Sequence, residues 1–221
     1  MADRKHFIVL GLGTFGAALS KQLSKNGCHV TGIDETREQV EELKEFLYEP
    51  VIGDVSERRT LEPLVVSEAN AVFICLGESI ESSLLATLHA RELGARKIVV
   101  KAITQEHGKI LKAMGVDQVI HPEVEIARGL ADRATWPNVL EYMPIDPEYS
   151  FVEMTSPTSL VGKTLVEAAL RRDYGVWVVG VKDALSGKLR LFPDAEFVLS
   201  DDQMLVVVGK QDDLNRLREA D

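Results

Sequence analysis

Short apolar runs alternate with amphipathic stretches over roughly the first 120 residues. Residues 6–10 are a compact apolar run of strand formers, and the spacing then turns helical through Ala17, Ala18, Leu19 and Leu23. Residues 28–33 read as the second strand, and residues 36–47 as a polar helix with Val40, Leu43 and Leu47 on one face. Residues 50–54 read as the third strand with its loop, and residues 59–66 as a short irregular helix containing Pro63. Residues 71–76 are apolar without a break, which predicts a central parallel strand covered on both faces. A helix follows to about Leu93, carrying Leu84, Leu85, Leu88 and Ala90 and closed by Gly94. Residues 97–101 make the fifth strand. Residues 105–114 make a helix with Ile110, Leu111 and Met114 inward, and residues 118–120 the sixth strand. Six strand–helix alternations predict an α/β fold: a Rossmann-like, doubly wound parallel six-stranded sheet.

The pattern then changes. Residues 122–134 read as a helix with Ile126, Ala127, Leu130, Ala131 and Ala134 on one stripe. Pro122 sits at its first turn and Glu123 beside its positive end. Trp136-Pro137-Asn138 interrupts it, and Val139, Leu140, Tyr142 and Met143 add an apolar cluster before Pro144 and Pro147. This cluster packs either on the second domain or on a partner chain. From Tyr149 short strands dominate (150–154, 175–181, 188–193 and 203–209), with helices over 165–170 and 211–219. The expected organisation is a nucleotide-binding domain over 1–134, a junction over 135–149, and a small α+β module over 150–221 joined through the crossover helix.

Composition narrows the class. A formal net charge of −10 repels nucleic acid and anionic lipid, and the basic pairs Arg58-Arg59 and Arg171-Arg172 are too short to offset it. No apolar run is long enough to span a membrane, and the N-terminus enters the first strand without a signal-peptide hydrophobic region. Cys28 and Cys75 sit in apolar strands, as buried free thiols in a reducing compartment do. The expectation is a soluble, cytoplasmic protein.

The candidate chemistry lies at strand ends. Gly11-Leu12-Gly13-Thr14-Phe15-Gly16 joins the first strand to the first helix. In this G-x-G-x-x-G turn the glycines permit a sharp bend, close approach to a pyrophosphate and tight helix–strand packing. The alternative is a turn that only closes the packing. Asp34 ends the second strand, where a carboxylate can accept from ribose hydroxyls. Asp54 and Val55 stand where a base can be contacted, Gly77 ends the fourth strand, and Lys101 ends the fifth within reach of a phosphate. Asp54 and Lys101 are otherwise solvated loop charges. His121 reads most simply as a cap before Pro122, with Glu123 stabilising the helix dipole, and one carboxylate per chain would by itself be a weak cation site.

Two function classes fit: a ligand-sensing regulatory subunit without chemistry, and an NAD(P)-dependent oxidoreductase. Hydride transfer needs an acid or base beside the nicotinamide. The five histidines fall on strand starts, helix faces or caps, and there is no Tyr-x-x-x-Lys pair or large second domain. A phosphate-cradling G-x-x-x-x-G-K-[ST] loop for hydrolysis is also missing. No catalytic group accompanies the glycine turn, so it reads as a ligand-sensing cradle rather than the seat of a hydride donor.

The glycine turn, Ile120-His121-Pro122-Glu123 and Leu170-Arg171-Arg172-Asp173-Tyr174-Gly175 together resemble the RCK (KTN) family, and within it the KtrA-like subunits of Ktr/Trk potassium-uptake systems. The resemblance covers nearly the whole chain. It implies an RCK-N domain, an RCK-C (TrkA-C) module, and dimers assembling into an octameric ring on the cytoplasmic face of a membrane potassium transporter. It also implies ATP, ADP or NAD(H) in the cleft, with Gly11, Gly13 and Gly16 on phosphate and Asp34 on ribose. Asp54 and Val55 would flank adenine, Gly77 would line the cleft, and Lys101 would approach phosphates. Glu123 matches a glutamate that helps hold a divalent cation between subunits, and Arg171 and Pro193 lie near positions that bind cyclic di-AMP in some relatives. Thr14 departs from the pattern, since KtrA-like members usually place there an arginine that reaches a terminal phosphate. A threonine cannot supply that bidentate charged contact, which favours ADP, AMP or NAD(H) over ATP.

Overall fold

The computed structural model describes residues 4–135, 139–146 and 148–219. It divides into two compact units, Met1–Pro122 and Glu123–Asp221. Trp136, Pro137, Asn138 and Pro147, read from the sequence as breaks in the pattern, lie outside the described residues.

In the first unit β1 (His6–Leu10), β2 (His29–Asp34), β3 (Glu49–Ile52), β4 (Ala71–Ile74), β5 (Ile98–Lys101) and β6 (Gln118–Ile120) form one sheet in the order β3-β2-β1-β4-β5-β6. Every pairing is parallel. Strand order reverses between β1 and β4, so a crevice opens at their carboxyl ends. The connecting helices are α1 (Thr14–Lys25), α2 (Arg37–Leu43), α3 (Arg58–Leu61), α4 (Ile80–Glu92) and α5 (Gln105–Ala113). Apolar clusters on the two sheet faces are built around Ile8, Leu10, Ile74 and Val100 on one and around Val9, Val30 and Leu43 on the other. That two-sided cover explains the unbroken apolar runs.

Several local expectations change. α2 stops at Leu43, and Leu47 reaches the core from turns beyond it. In α4 the buried stripe is Ser83, Ala86, Thr87 and Ala90, while Leu85 and Leu88 face outward. Small side chains let the helix lie close to the sheet. In α5 the inward residues are His107, Gly108 and Leu111, and Ile110 is exposed. Of the two thiols, Cys75 is buried and Cys28 only partly so.

The second unit begins with α6 (Pro122–Thr135) and continues with β7 (Val139–Pro144), β8 (Tyr149–Thr155), α7 (Leu165–Ala168), α8 (Leu170–Tyr174), β9 (Trp177–Asp183), β10 (Leu189–Leu191), β11 (Gln203–Lys210) and α9 (Gln211–Arg218). Its sheet runs β10-β9-β11-β8-β7 and is antiparallel throughout. Residues 139–144, within the expected 135–149 junction, form an edge strand paired with β8. The 165–170 helix is broken by Ala169 in a left-handed conformation, φ +47°. Val152, Leu205, Val207, Leu214 and Leu217 lie at the heart of a separate core.

Candidate functional site

The glycine turn lies at the crevice, and each glycine has its own duty. Gly11 holds φ +91°, and its N–H donates to Ile33 O at 2.8 Å, tying the end of β1 to β2. A Cβ on Gly11 would stand 2.8 Å from Leu76 Cδ2 and 3.2 Å from the Cys75 carbonyl carbon. A Cβ on Gly16 would collide with the Gly11 carbonyl oxygen, so α1 can cross the turn this closely only with glycine there. Gly13 differs: a Cβ there would meet nothing within 4 Å. It is the N-cap of α1, which has no side-chain cap and no acidic residue in its first turn. A helix start with uncapped N–H groups beside open space suits an anion. Thr14 is exposed on that first turn, and Phe15 packs against the core.

Asp34 carries more than the sequence indicates. Its Oδ2 accepts the Leu12 N–H at 2.7 Å and its Oδ1 the Thr36 N–H at 2.8 Å. The carboxylate therefore clamps the glycine turn to the start of the α2 segment. Each oxygen keeps a further lone pair that a ribose hydroxyl can use.

Gly77 is exposed after β4, and Lys101 Nζ lies 3.8 Å from where a Gly77 Cβ would sit. The turn at Gly11, the β4 end at Leu76–Gly77 and the Lys101 ammonium thus share one rim of the crevice. Cys75 lies beneath it, where burial pushes the thiol up to about 12, with Lys101 pulling weakly the other way. Asp54 is exposed at the end of β3. Its Oδ1 accepts both the hydroxyl and the N–H of Ser56, at 2.7 and 2.8 Å, and these bonds hold the carboxyl below its usual range. Val55 is 6% exposed and its side chain packs in the core cluster that holds Ile33 and Leu61.

His107, not singled out in the sequence, is 1% exposed. Its Nδ1 accepts the Ile103 N–H at 3.2 Å, which assigns the ring proton to Nε2. Burial, and then the nearby His121, lower its pKa. His121 packs on Gly108: a Cβ there would meet His121 Nε2 at 2.9 Å.

In the second unit Glu123 is exposed in the first turn of α6. Among the described residues no group of three or more His, Cys, Asp or Glu side chains could hold a metal ion. Arg171 and Pro193 line one cavity of about 690 Å³, together with Leu165, Ala169, Leu170 and Trp177. Among the described residues no helix is long and apolar enough to cross a membrane.

Residues 7–122 match the TrkA-N domain and residues 150–220 the TrkA-C domain. The chain is 34% identical over 217 residues to Ktr system potassium uptake protein C of Bacillus subtilis, covering 98% of this chain and 97% of that one. It is 32% identical over 219 residues to Ktr system potassium uptake protein A of Vibrio alginolyticus, covering 97% of each. Among solved structures it superposes on the GsuK channel with a TM-score of 0.70 at 23% identity, covering 99% of this chain and 40% of the channel chain. A GsuK RCK domain gives a TM-score of 0.64 at 21% identity, covering 99% and 48%. The chain thus spans less than half of those longer chains, and at such identity the likeness concerns the fold. With a TrkA-N match over the first unit, a TrkA-C match over the second and Ktr relatives aligned along nearly its whole length, the chain belongs to the TrkA-N/TrkA-C family of Ktr-type potassium uptake proteins.

Proposed function

We propose that this protein is a cytosolic, nucleotide-sensing regulatory subunit that controls potassium flow through a separate membrane transporter and has no catalysis of its own. The observation that carries this reading is the full-length similarity to Ktr system potassium uptake proteins. The crevice supplies the sensor. An uncapped α1 start, open space at Gly13 and the Lys101 ammonium suit phosphates, and Asp34 suits a ribose. An adenine nucleotide, ADP or NAD(H) ahead of ATP because of Thr14, is the expected ligand.

The exposed stripe of α6 supports dimerisation: Ile126 is 69% and Leu130 59% exposed. Leu85 and Leu88 on α4 and Ile110 on α5 are further exposed apolar side chains, suited to joining dimers into an octameric ring. A divalent cation at Glu123 would need ligands from a second chain or from phosphates. The Arg171–Pro193 cavity is the expected seat of a second ligand of the cyclic di-AMP type. Nucleotide exchange would act by population shift, to the extent that the ligands differ in affinity for two ring states.

Titrating the purified chain with ADP, ATP and NADH, while following affinity and assembly size together, tests the reading. Binding should accompany a ring-sized assembly whose dimensions change with the nucleotide. Failure of every adenine nucleotide to bind would remove the sensor. A monomer that oxidises a hydroxy acid with NAD would replace the regulator with an oxidoreductase.

A further inference from the structure

The cavity of the second unit holds an arrangement that its lining alone does not explain. The Arg171 guanidinium lies 3.9 Å from the centre of the Trp177 ring, and Trp177 is 53% exposed at the start of β9. In a chain of net charge −10, neighbouring arginines are paired: Arg172 with Asp173 at 2.7 Å, and Arg216 with Asp213 at 2.6 Å. Among the described residues no ion pair engages Arg171. A guanidinium laid against an aromatic ring uses its face, while its N–H donors point outward in its own plane.

The backbone around the cavity is also unusual. Ala169, in its wall, holds φ +47°, and Phe192, next to Pro193, holds φ +50°. Both are left-handed non-glycine residues, and such strain persists where surrounding structure fixes it, commonly at ligand sites. The remaining wall includes Leu165, Leu170 and Val176, all apolar.

We propose that Trp177 is the positioning residue of an anion receptor in this cavity. Its indole face holds the Arg171 guanidinium, so that the in-plane donors meet a phosphate while the apolar wall takes the ligand's planar body. This rests on the reading that the cavity takes a second ligand, and it adds the residue that sets the arginine's geometry. Lysine could not replace Arg171, because an ammonium has neither the flat face nor the forked donors. Phenylalanine could replace Trp177 in part, because it keeps a ring face.

The test is calorimetric titration of the full chain with cyclic di-AMP, using Trp177→Ala, Trp177→Phe, Arg171→Lys, Arg171→Ala and the Trp177→Ala/Arg171→Ala double variant. Trp177→Ala should weaken binding about three- to thirty-fold, the span of a partly desolvated cation–π contact. Trp177→Phe should recover most of that loss, and Arg171→Lys should cost as much as Arg171→Ala. In the Arg171→Ala background the Trp177→Ala effect should vanish, which a merely structural tryptophan would not produce. Wild-type binding with a Trp177→Ala effect that is absent, or unchanged in that background, overturns the positioning role alone. A wild-type chain that does not bind cyclic di-AMP overturns the second-ligand reading and this inference with it.

Discussion

Gly13 and Gly16 stand three residues apart and meet opposite conditions. A Cβ at Gly16 has no room beside the Gly11 carbonyl, whereas one at Gly13 enters open space. Gly16→Ala should therefore destabilise the first unit by about 1–3 kcal/mol, as overpacking does, read as a lowered thermal midpoint. Gly13→Ala should melt like the parent and lose adenine-nucleotide affinity, because its methyl would enter the open space proposed for phosphate. Equal melting of both variants would show that the helix is not seated as closely as described. Thr14→Arg, on the exposed first turn of α1, should raise the preference for ATP over ADP, measured as the ratio of their Kd values. Cys75 and Cys28 should part on alkylation at pH 8. Burial pushes the Cys75 thiol up to about 12, so the folded chain should be modified at Cys28 and not at Cys75.

At the scale of elements, small residues govern how helices meet sheets. The close face of α4 is Ser83, Ala86, Thr87 and Ala90, and that of α5 includes Gly108 beneath His121. His107, buried on the inner face of α5, brings a pH dependence. Burial, then His121, holds it below the ordinary imidazole value of 6.5, so the folded state takes up the proton at a lower pH than the unfolded chain does. The unfolded chain accepts a proton near pH 6.5 that the fold refuses. Stability is therefore full above that pH, falls as pH drops through it, and levels off below the folded pKa, with a slope of at most about 1.4 kcal/mol per pH unit per proton. His6 is lowered in the same direction, chiefly by burial and against the pull of Glu49, so it adds to the slope. Denaturant midpoints between pH 8 and 5 should fall for the parent and fall less for His107→Gln. An unchanged slope would assign the dependence to other groups.

For the whole molecule, the α6 stripe is an exposed apolar surface suited to a partner chain. Ile126 and Leu130 project on one face and are exposed in the single chain. Ile126→Glu with Leu130→Glu should convert the proposed dimers to monomers in sedimentation analysis, with secondary structure intact. Retention of dimers would move the interface elsewhere. Nucleotide affinity in that monomer would show whether a second chain completes the crevice.

The sequence by itself determined the strands of the first unit and the place of its candidate site. Strand and helix periods differ, and a G-x-G-x-x-G turn flanked by both leaves little choice of topology. It also marked Asp34, Gly77 and Lys101, because in a parallel sheet every strand ends on the same side. It did not show which leucine of α4 faces the sheet, since Leu84, Leu85 and Leu88 are alike as letters and only packing against small neighbours selects the inward stripe. Nor did it show that residues 139–144 pair with β8, because that strand is defined by hydrogen bonds to a partner rather than by its own pattern. The second duty of Asp34, the burial of Val55 and the stacking of Arg171 on Trp177 depend on distances between residues remote in sequence or turned by a local break in helix geometry. Such distances exist only after the chain has closed, so tertiary structure alone decided them.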